Sequence, residues 1–160
     1  MPSEQKKKAL KQFFTLMVIW LVTIVAVFAG SIFYDQYQGS EYDVMAVPYI
    51  NQIVPELSQW EPETTKALMA PGVAATIPDE NFTQAMTLFS SLGALQSMEK
   101  PKFDKAQEML NTDIGTLSIV EYNVDAKYEN GEAIINLQLL EGDNSFEIYR
   151  FNFSSEILLE

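Results

Sequence analysis

The chain contains no cysteine and no histidine, and Arg150 is its single arginine. The absence of cysteine excludes disulfide bonds, thiol catalysis, thiolate metal sites and lipid anchors attached through cysteine. The absence of histidine removes the commonest general base and the commonest transition-metal ligand. Catalysis would have to rest on carboxylates, Tyr, Lys or Ser, so the composition favours a protein that is not an enzyme and that uses no cofactor and no metal.

The residues that are present make the chain strongly acidic, with a net charge of −12. Residues 1–11 nevertheless carry a local charge of +3, from four lysines and one glutamate. From Asp35 onward, 21 acidic residues outnumber six basic ones and give a charge of −15. An acidic domain is repelled by nucleic acids and by anionic lipid surfaces, because both are polyanions. We therefore predict no nucleic-acid partner.

A long uncharged segment follows the lysines. Residues 13–34 contain no charged side chain, and as a helix these 22 residues span about 33 Å. A lipid hydrocarbon core is roughly 30 Å thick, so we predict a transmembrane helix over residues 12–34. The preceding tail, residues 1–11, is basic and is placed in the cytoplasm by the positive-inside rule. The sequence thus predicts a single-pass protein of the bacterial inner membrane with its C-terminal domain in the periplasm.

The same segment allows a second interpretation, in which it is a cleaved signal peptide. Val27-Phe28-Ala29 has the small residues of a processing site, but the apolar run exceeds the roughly 7–15 residues of a signal peptide. A retained anchor is favoured for that reason. Thr23, Ala26 and Gly30 fall near one face of this helix, and the Ala26–Gly30 spacing allows a second helix to approach closely. We predict that these three residues form a helix-packing face.

Beyond the anchor, the sequence predicts a polar linker at residues 35–43 and one domain at residues 44–160. The first half of that domain has helical periodicity. Pro48 is expected to begin the regular helix and Pro55 to kink or break it. Further helices are predicted to open at Pro62 and near Pro78, the last of them ending at Gly93.

The second half of the domain has the pattern of strands. Leu95 to Leu110 is a mixed segment interrupted by Pro101, and a strand is expected at its start. From Leu117 onward, apolar and polar residues alternate as in a half-buried strand. The apolar members of that alternation are Val120, Tyr122, Val124, Ala126 and Tyr128.

Two turn signals divide the rest of the chain. Asn130-Gly131 predicts a type I′ hairpin turn, and Gly142-Asp143-Asn144 predicts another turn before a last strand at residues 145–158. In that strand the apolar phase changes from Ile148 to Tyr149, which indicates a bulge or burial on both faces. Helices followed by an antiparallel meander predict an α+β fold, with helices packed on a curved antiparallel sheet of about four strands.

Two stretches carry a resemblance to a known superfamily. They are AATIPDENFTQAMTLFSSLGALQSMEKPKF and GEAIINLQLLEGDNSFEIYRFNFSS. In them a helix ends in Leu-Gly and leads into a first long strand, and a final hairpin closes the sheet. Over residues 44–158 the chain therefore resembles the nuclear transport factor 2-like (cystatin-like) superfamily. The resemblance implies a cone-shaped domain with a concave pocket between the sheet and the helices.

The superfamily includes isomerases and dehydratases as well as binding and assembly modules, and some members are single-pass inner-membrane proteins of secretion machinery. Its enzymes are expected to place Asp, His or Tyr in the cone, and this chain has no histidine. Tyr122, Tyr149 and Arg150 are the residues that we predict to contact a partner or to line the pocket. An arginine can grip a carboxylate, although it can equally lie on the surface with its stem packed on neighbouring rings.

Two functions follow as hypotheses. The first is a non-catalytic subunit or assembly factor of a multiprotein membrane complex, which binds the other subunits through its transmembrane helix and its periplasmic domain. The alternative is a membrane-tethered binder of a small molecule, or an isomerase-like enzyme, that uses the cone pocket. A cone filled by aromatic side chains would argue against the alternative; the candidates for filling it are Phe82, Phe89, Phe151 and Phe153.

Overall fold

A computed structural model describes the backbone of residues 2–111, 115–143 and 145–159. It describes the side chains of residue 8 and of residues 11–30, 39–110, 116–143 and 145–159. The chain divides into two compact units, one up to Tyr37 and the other from Gln38 onward. The larger unit contains all of the strands, and it has an α+β fold as predicted.

The first helix, α1, runs from Pro2 to Leu57. It contains Pro48 and Pro55 without ending at either, although each proline removes a backbone hydrogen bond at a cost of about 3 kcal/mol. The reason is the packing of this part of α1 on the sheet. Its inward side chains are almost completely buried, namely Ala46, Ile50, Ile53, Val54 and Leu57. The prediction that Pro48 begins the helix was therefore wrong, and the helix does not break at Pro55.

Residues 39–43, within the predicted linker, are also held by contacts with the sheet. The ring of Tyr42 stacks on Phe103 with 6.1 Å between centroids, and Asp43 accepts a hydrogen bond from Tyr122. At Gly39 an added Cβ would lie 3.1 Å from the Phe103 side chain, so the glycine allows the helix to approach the sheet. Polar composition predicted a linker, whereas the backbone at residues 35–43 is helical because tertiary contacts fix its second half.

Three shorter helices follow, in the order α2 (Pro62–Leu68), α3 (Pro71–Ala74) and α4 (Asp79–Phe89). The prediction of helix starts at Pro62 and near Pro78 is confirmed. A 3₁₀ turn, Ser90–Leu92, extends α4 to Gly93, which has a φ of 80°. An added Cβ at Gly93 would lie 2.9 Å from the Cβ of Glu129, so both conformation and space require glycine there.

In the part of the chain that the structure describes, the sheet is antiparallel and consists of five strands. They are β1 (Leu95–Met98), β2 (Lys102–Asn111), β3 (Gly115–Tyr128), β4 (Glu132–Glu141) and β5 (Phe146–Ser154), followed by a 3₁₀ helix at Glu156–Leu159. The order is β1-β3-β4-β5, and β2 also pairs with β3.

The difference between five strands and the predicted four lies at one edge. β1 pairs with the end of β3, from Ala126 to Tyr128, while β2 pairs with residues 115–123 of the same strand. Pro101 lies between them and has no N–H to donate, so it divides this edge into two strands. The opposite edge, β5, is covered in part by Ala70, whose N–H donates to the Ile148 carbonyl at 2.9 Å.

The predicted bulge in β5 is confirmed. Gln138 of β4 pairs with Arg150 and Leu139 pairs with Ile148, which leaves Tyr149 as the extra residue. This insertion explains the change of apolar phase in the sequence, because a bulge shifts which residues face the core.

The hairpin between β3 and β4 forms at the predicted place, but its turn is not type I′. That turn needs positive φ at both central residues, and neither Asn130 nor Gly131 has it. Both residues lie beside tertiary neighbours. The Asn130 amide donates to the Ser91 carbonyl at 2.8 Å, and a Cβ on Gly131 would overlap Ile157. Part of the second predicted turn, Asn144, lies outside the described residues.

Helix α2 contains a buried hydroxyl without a partner, which gives the first prediction. Thr65 is completely buried, and its Oγ1 makes no hydrogen bond with any residue that the structure describes. We expect Thr65→Val to raise the free energy of unfolding by about 1 kcal/mol, because valine keeps the shape and removes the unsatisfied polar group. Urea unfolding of the full chain in neutral detergent measures this. Thr64→Val is the control, since Thr64 bonds Glu61 at 3.1 Å; equal gains for both variants would contradict the explanation.

Candidate functional site

The space between helices and sheet, which the superfamily resemblance assigns to a pocket, is occupied by aromatic rings. Phe151 contacts Phe82 and Phe89, each with 6.3 Å between ring centroids. Phe153 lies 4.9 Å from Phe89 and 5.2 Å from Trp60. Phe82 and Phe153 are 5% and 3% exposed. Phe82 and Phe153 belong to the buried core and Phe89 and Phe151 pack against it, so these rings contribute packing to this face of the sheet.

Tyr122, a predicted pocket or partner residue, lies inside this core and is inaccessible to solvent. Its hydroxyl donates to Asp43 Oδ1 at 2.9 Å, and its ring meets Phe103 edge-on at 5.7 Å. Burial raises the pKa of the Tyr122 phenol well above its usual value, and the bond to Asp43 raises it further. The phenol therefore stays neutral and serves as a structural donor that ties α1 to the sheet.

The other two predicted contact residues lie elsewhere. Tyr149 is the half-buried extra residue of the bulge, and Arg150 is exposed. Arg150 pairs in register with Gln138, whose side chain bonds Glu121 on the face of the sheet turned away from the helices. Alternation along β3 places Tyr122 and Glu121 on opposite faces. The structure does not bring Tyr122 and Arg150 into one site.

The outer face of the sheet holds a polar cluster that the sequence analysis missed. Glu121 is only 5% exposed, and its Oε1 accepts hydrogen bonds from Gln107 and Gln138, each at 3.1 Å. Lys105 forms an ion pair with the same oxygen at 3.4 Å. The carboxylate is thus matched by two amides and a cation on neighbouring strands. Strict alternation in β3 was the available signal, since it assigns Glu121 to the face opposite Tyr122.

A groove of about 1020 Å³ lies at one end of the sheet. Parts of β1, of the β3–β4 hairpin, of β5 and of the last 3₁₀ helix form it. Three large aliphatic side chains line it, namely Ile134, Ile157 and Leu159. Ile134 is 48% exposed and Leu159 is 87% exposed. The sequence signal was the Ile134-Ile135 pair, because two successive apolar residues in an alternating strand leave one on the polar face.

Charged residues surround the aliphatic side chains of this groove. Four carboxylates line it against Lys127, and they belong to Glu99, Asp125, Glu132 and Glu156. Asp125 and Glu99 share Lys102, at 2.6 and 3.4 Å. Within the described part of the chain, no group of three or more acidic side chains is arranged to hold a metal ion. The groove can therefore offer apolar contact together with negative charge.

The N-terminal unit presents a different surface. Lys11–Gly30 is a helical stretch of 20 residues with a mean hydropathy of 2.5, long and apolar enough to cross a membrane. Its side chains are exposed; Val25, for instance, is 59% exposed. Thr23 bonds the Ile19 carbonyl within the helix at 2.9 Å. A Cβ on Gly30 would meet no atom of the described residues within 4 Å, so packing through Thr23, Ala26 and Gly30 remains a prediction about another helix.

Comparison of the chain with protein families, with curated proteins and with solved structures finds no match. The likeness to the nuclear transport factor 2-like superfamily consequently remains a prediction, and the function has to be argued from the residues of this chain.

Proposed function

We propose that this chain is a non-catalytic, single-pass subunit or assembly factor of a multiprotein complex in the bacterial inner membrane. The observation that carries the proposal is the exposed apolar helix Lys11–Gly30. Transferring twenty such residues from water to lipid is strongly favourable. A helix with that surface is explained by a lipid environment or by other apolar helices.

The charge distribution supports the orientation. Lys6, Lys7, Lys8 and Lys11 precede the apolar helix, and the domain after it is acidic. Positive charge is retained on the cytoplasmic side of a membrane. The N-terminus is therefore cytoplasmic in this proposal, and the domain from Gln38 onward is periplasmic.

Two features of the domain argue against a small-molecule site or a catalytic site between the helices and the sheet. The region assigned to a pocket is filled by interlocked rings of Phe82, Phe89, Phe151 and Phe153. Tyr122 is held neutral and buried. Neither feature favours the alternative of a small-molecule binder or an isomerase-like enzyme. In the proposed complex the domain contacts other subunits through its surface, and the helix contacts them within the lipid.

Co-purification at native expression tests the proposal. The tagged full chain, solubilised in a mild neutral detergent, is expected to elute with stoichiometric partner subunits. Ala26→Leu and Gly30→Leu should each lower partner recovery, because larger side chains keep a second helix at a distance. Val27→Leu is the control within the same helix. A wild-type protein that runs alone as a monomer would overturn the proposal.

A further inference from the structure

The groove at the end of the sheet, defined above by Ile134, Ile157 and Leu159, has the properties of a docking site. Single exposed aliphatic residues are ordinary on protein surfaces. Here, however, three of them line one depression of about 1020 Å³, and Leu159 is 87% exposed. Grouped apolar exposure at a concave surface is typical of a binding site. The apolar lining calls for an aliphatic or aromatic side chain from the occupant.

The charges of the groove decide what kind of occupant fits. Glu132 and Glu156 line the groove, and within the described residues neither side chain forms an ion pair. Lys127 is the cation among the lining residues, while Lys102 is engaged with Asp125 and Glu99. The groove therefore has uncompensated negative charge beside its aliphatic side chains. Complementary charge on the occupant would favour association and exclude anionic competitors.

A second copy of this chain does not fit the groove, because the whole domain is negatively charged. From Asp35 onward the chain carries −15, so two copies of this domain repel each other. The chain's own lysine-rich tail, residues 1–11, lies across the membrane from the domain in the proposed topology. The complementary surface therefore belongs to a different protein.

We infer that this groove binds a short segment of a partner protein in which an aliphatic or aromatic side chain is flanked by lysine or arginine. The aliphatic lining buries the apolar side chain, and Glu132 and Glu156 pair with the flanking cations. This inference deepens the proposed function and rests on it, since the segment belongs to a subunit of the same complex.

A labelled peptide provides the test. The probe is a fluorescent peptide with Leu-Phe-Leu at its centre and two lysines on each side. Its anisotropy is titrated with the full chain in neutral detergent, and empty micelles provide the baseline. We expect saturable binding that the double variant Glu132→Lys/Glu156→Lys weakens by about tenfold, because two weak surface pairs become two repulsions.

The controls separate the groove from general attraction. Glu63→Lys/Glu80→Lys changes the net charge equally at exposed positions on α2 and α4, and it should lower the affinity far less. A peptide with serines at its centre, or with glutamates in place of lysines, should not bind. Thermal unfolding verifies that each variant is folded.

Three results would overturn the inference: no saturable binding, equal weakening by both double variants, or equal binding of the serine peptide. If the peptide does not bind but the partner subunits still co-purify, the groove is not the binding site and the proposed function is unaffected. Loss of co-purification in the wild type would remove the function itself.

Discussion

Replacing Trp60 with alanine is expected to lower the free energy of unfolding of the domain from Gln38 onward by about 3 kcal/mol, the low end of the range for a core aromatic, because Trp60 is partly buried. Trp60 lies between two other rings, 5.5 Å from Tyr128 and 5.2 Å from Phe153. Its Nε1 donates to the Gly93 carbonyl at 2.9 Å. One side chain thus joins the end of α1, the turn after α4 and the sheet, so its removal leaves a cavity and an unpaired carbonyl.

The backbone at Trp60 makes the choice of replacement informative. Trp60 has a φ of 61°, a left-handed conformation, just after the end of α1. Helices commonly end with glycine in this conformation, and other residues pay about 1–2 kcal/mol there. We therefore expect Trp60→Gly to be more stable than Trp60→Ala by about 1 kcal/mol. Inside a helix the order of stability is reversed, because alanine stabilises a helix more than glycine does.

Urea unfolding of the full chain in neutral detergent, followed by circular dichroism, measures both differences. The other tryptophan offers a matched control, because Trp20 lies in the apolar helix and is 70% exposed. Trp20→Ala should leave the unfolding midpoint of the domain unchanged. A loss below 1 kcal/mol for Trp60→Ala would show that the ring cluster does not hold these elements together.

The strand region could be predicted well because its signals are local. Alternation from Val120 to Tyr128 identified which face of β3 is buried, and all five apolar members are buried. The change of phase at Tyr149 located the bulge. Both signals follow from the period of two in a strand, which needs no knowledge of distant residues. Four strands were predicted and five are described, because Pro101 divides one edge of the sheet into β1 and β2.

Where the structure departs from local preference, contacts between residues distant in sequence are the reason. Residues 35–43 are polar but helical, and Tyr42 and Asp43 there contact Phe103 and Tyr122. Asn130-Gly131 was interpreted from turn statistics, whereas the turn has no positive φ at either residue and Asn130 instead bonds the Ser91 carbonyl. The same limit applies to the groove.

The residues of the groove do not follow any period in the sequence. Its residues come from β1, β3, β4, β5 and the last 3₁₀ helix, and they meet because of the order of the sheet. Ile134 alone was visible as an exception in the alternation of β4. Sequence reasoning could therefore locate one aliphatic residue on the polar face, but not its neighbours Ile157 and Leu159.

Two arginines at the centre of the apolar helix are expected to abolish membrane anchoring. Val22 and Val25 are each 59% exposed within Lys11–Gly30. Each arginine costs about 2.5–3.5 kcal/mol at the centre of a membrane helix, so Val22→Arg/Val25→Arg removes most of the drive for insertion. The measurement is the share of the protein that stays with the membranes after washing in alkaline carbonate.

The control for the added positive charge is an arginine on the same helix but outside the apolar stretch. Val44 is 75% exposed in the larger unit, and Val44→Arg should leave the membrane-bound share unchanged. Electrophoresis of the wild-type membrane fraction tests the signal-peptide alternative, since cleavage after Ala29 would shorten the chain by its first 29 residues.

A shortened chain released from the membrane would contradict the anchor, and with it the subunit proposal, because the helix-packing face would be lost. A full-length chain that resists the carbonate wash, and that loses this resistance only with the central arginines, would establish the helix as the element that holds the domain at the membrane. In the proposed function, the groove would then be held at the membrane, where a basic segment of a neighbouring subunit would meet it at a high effective concentration.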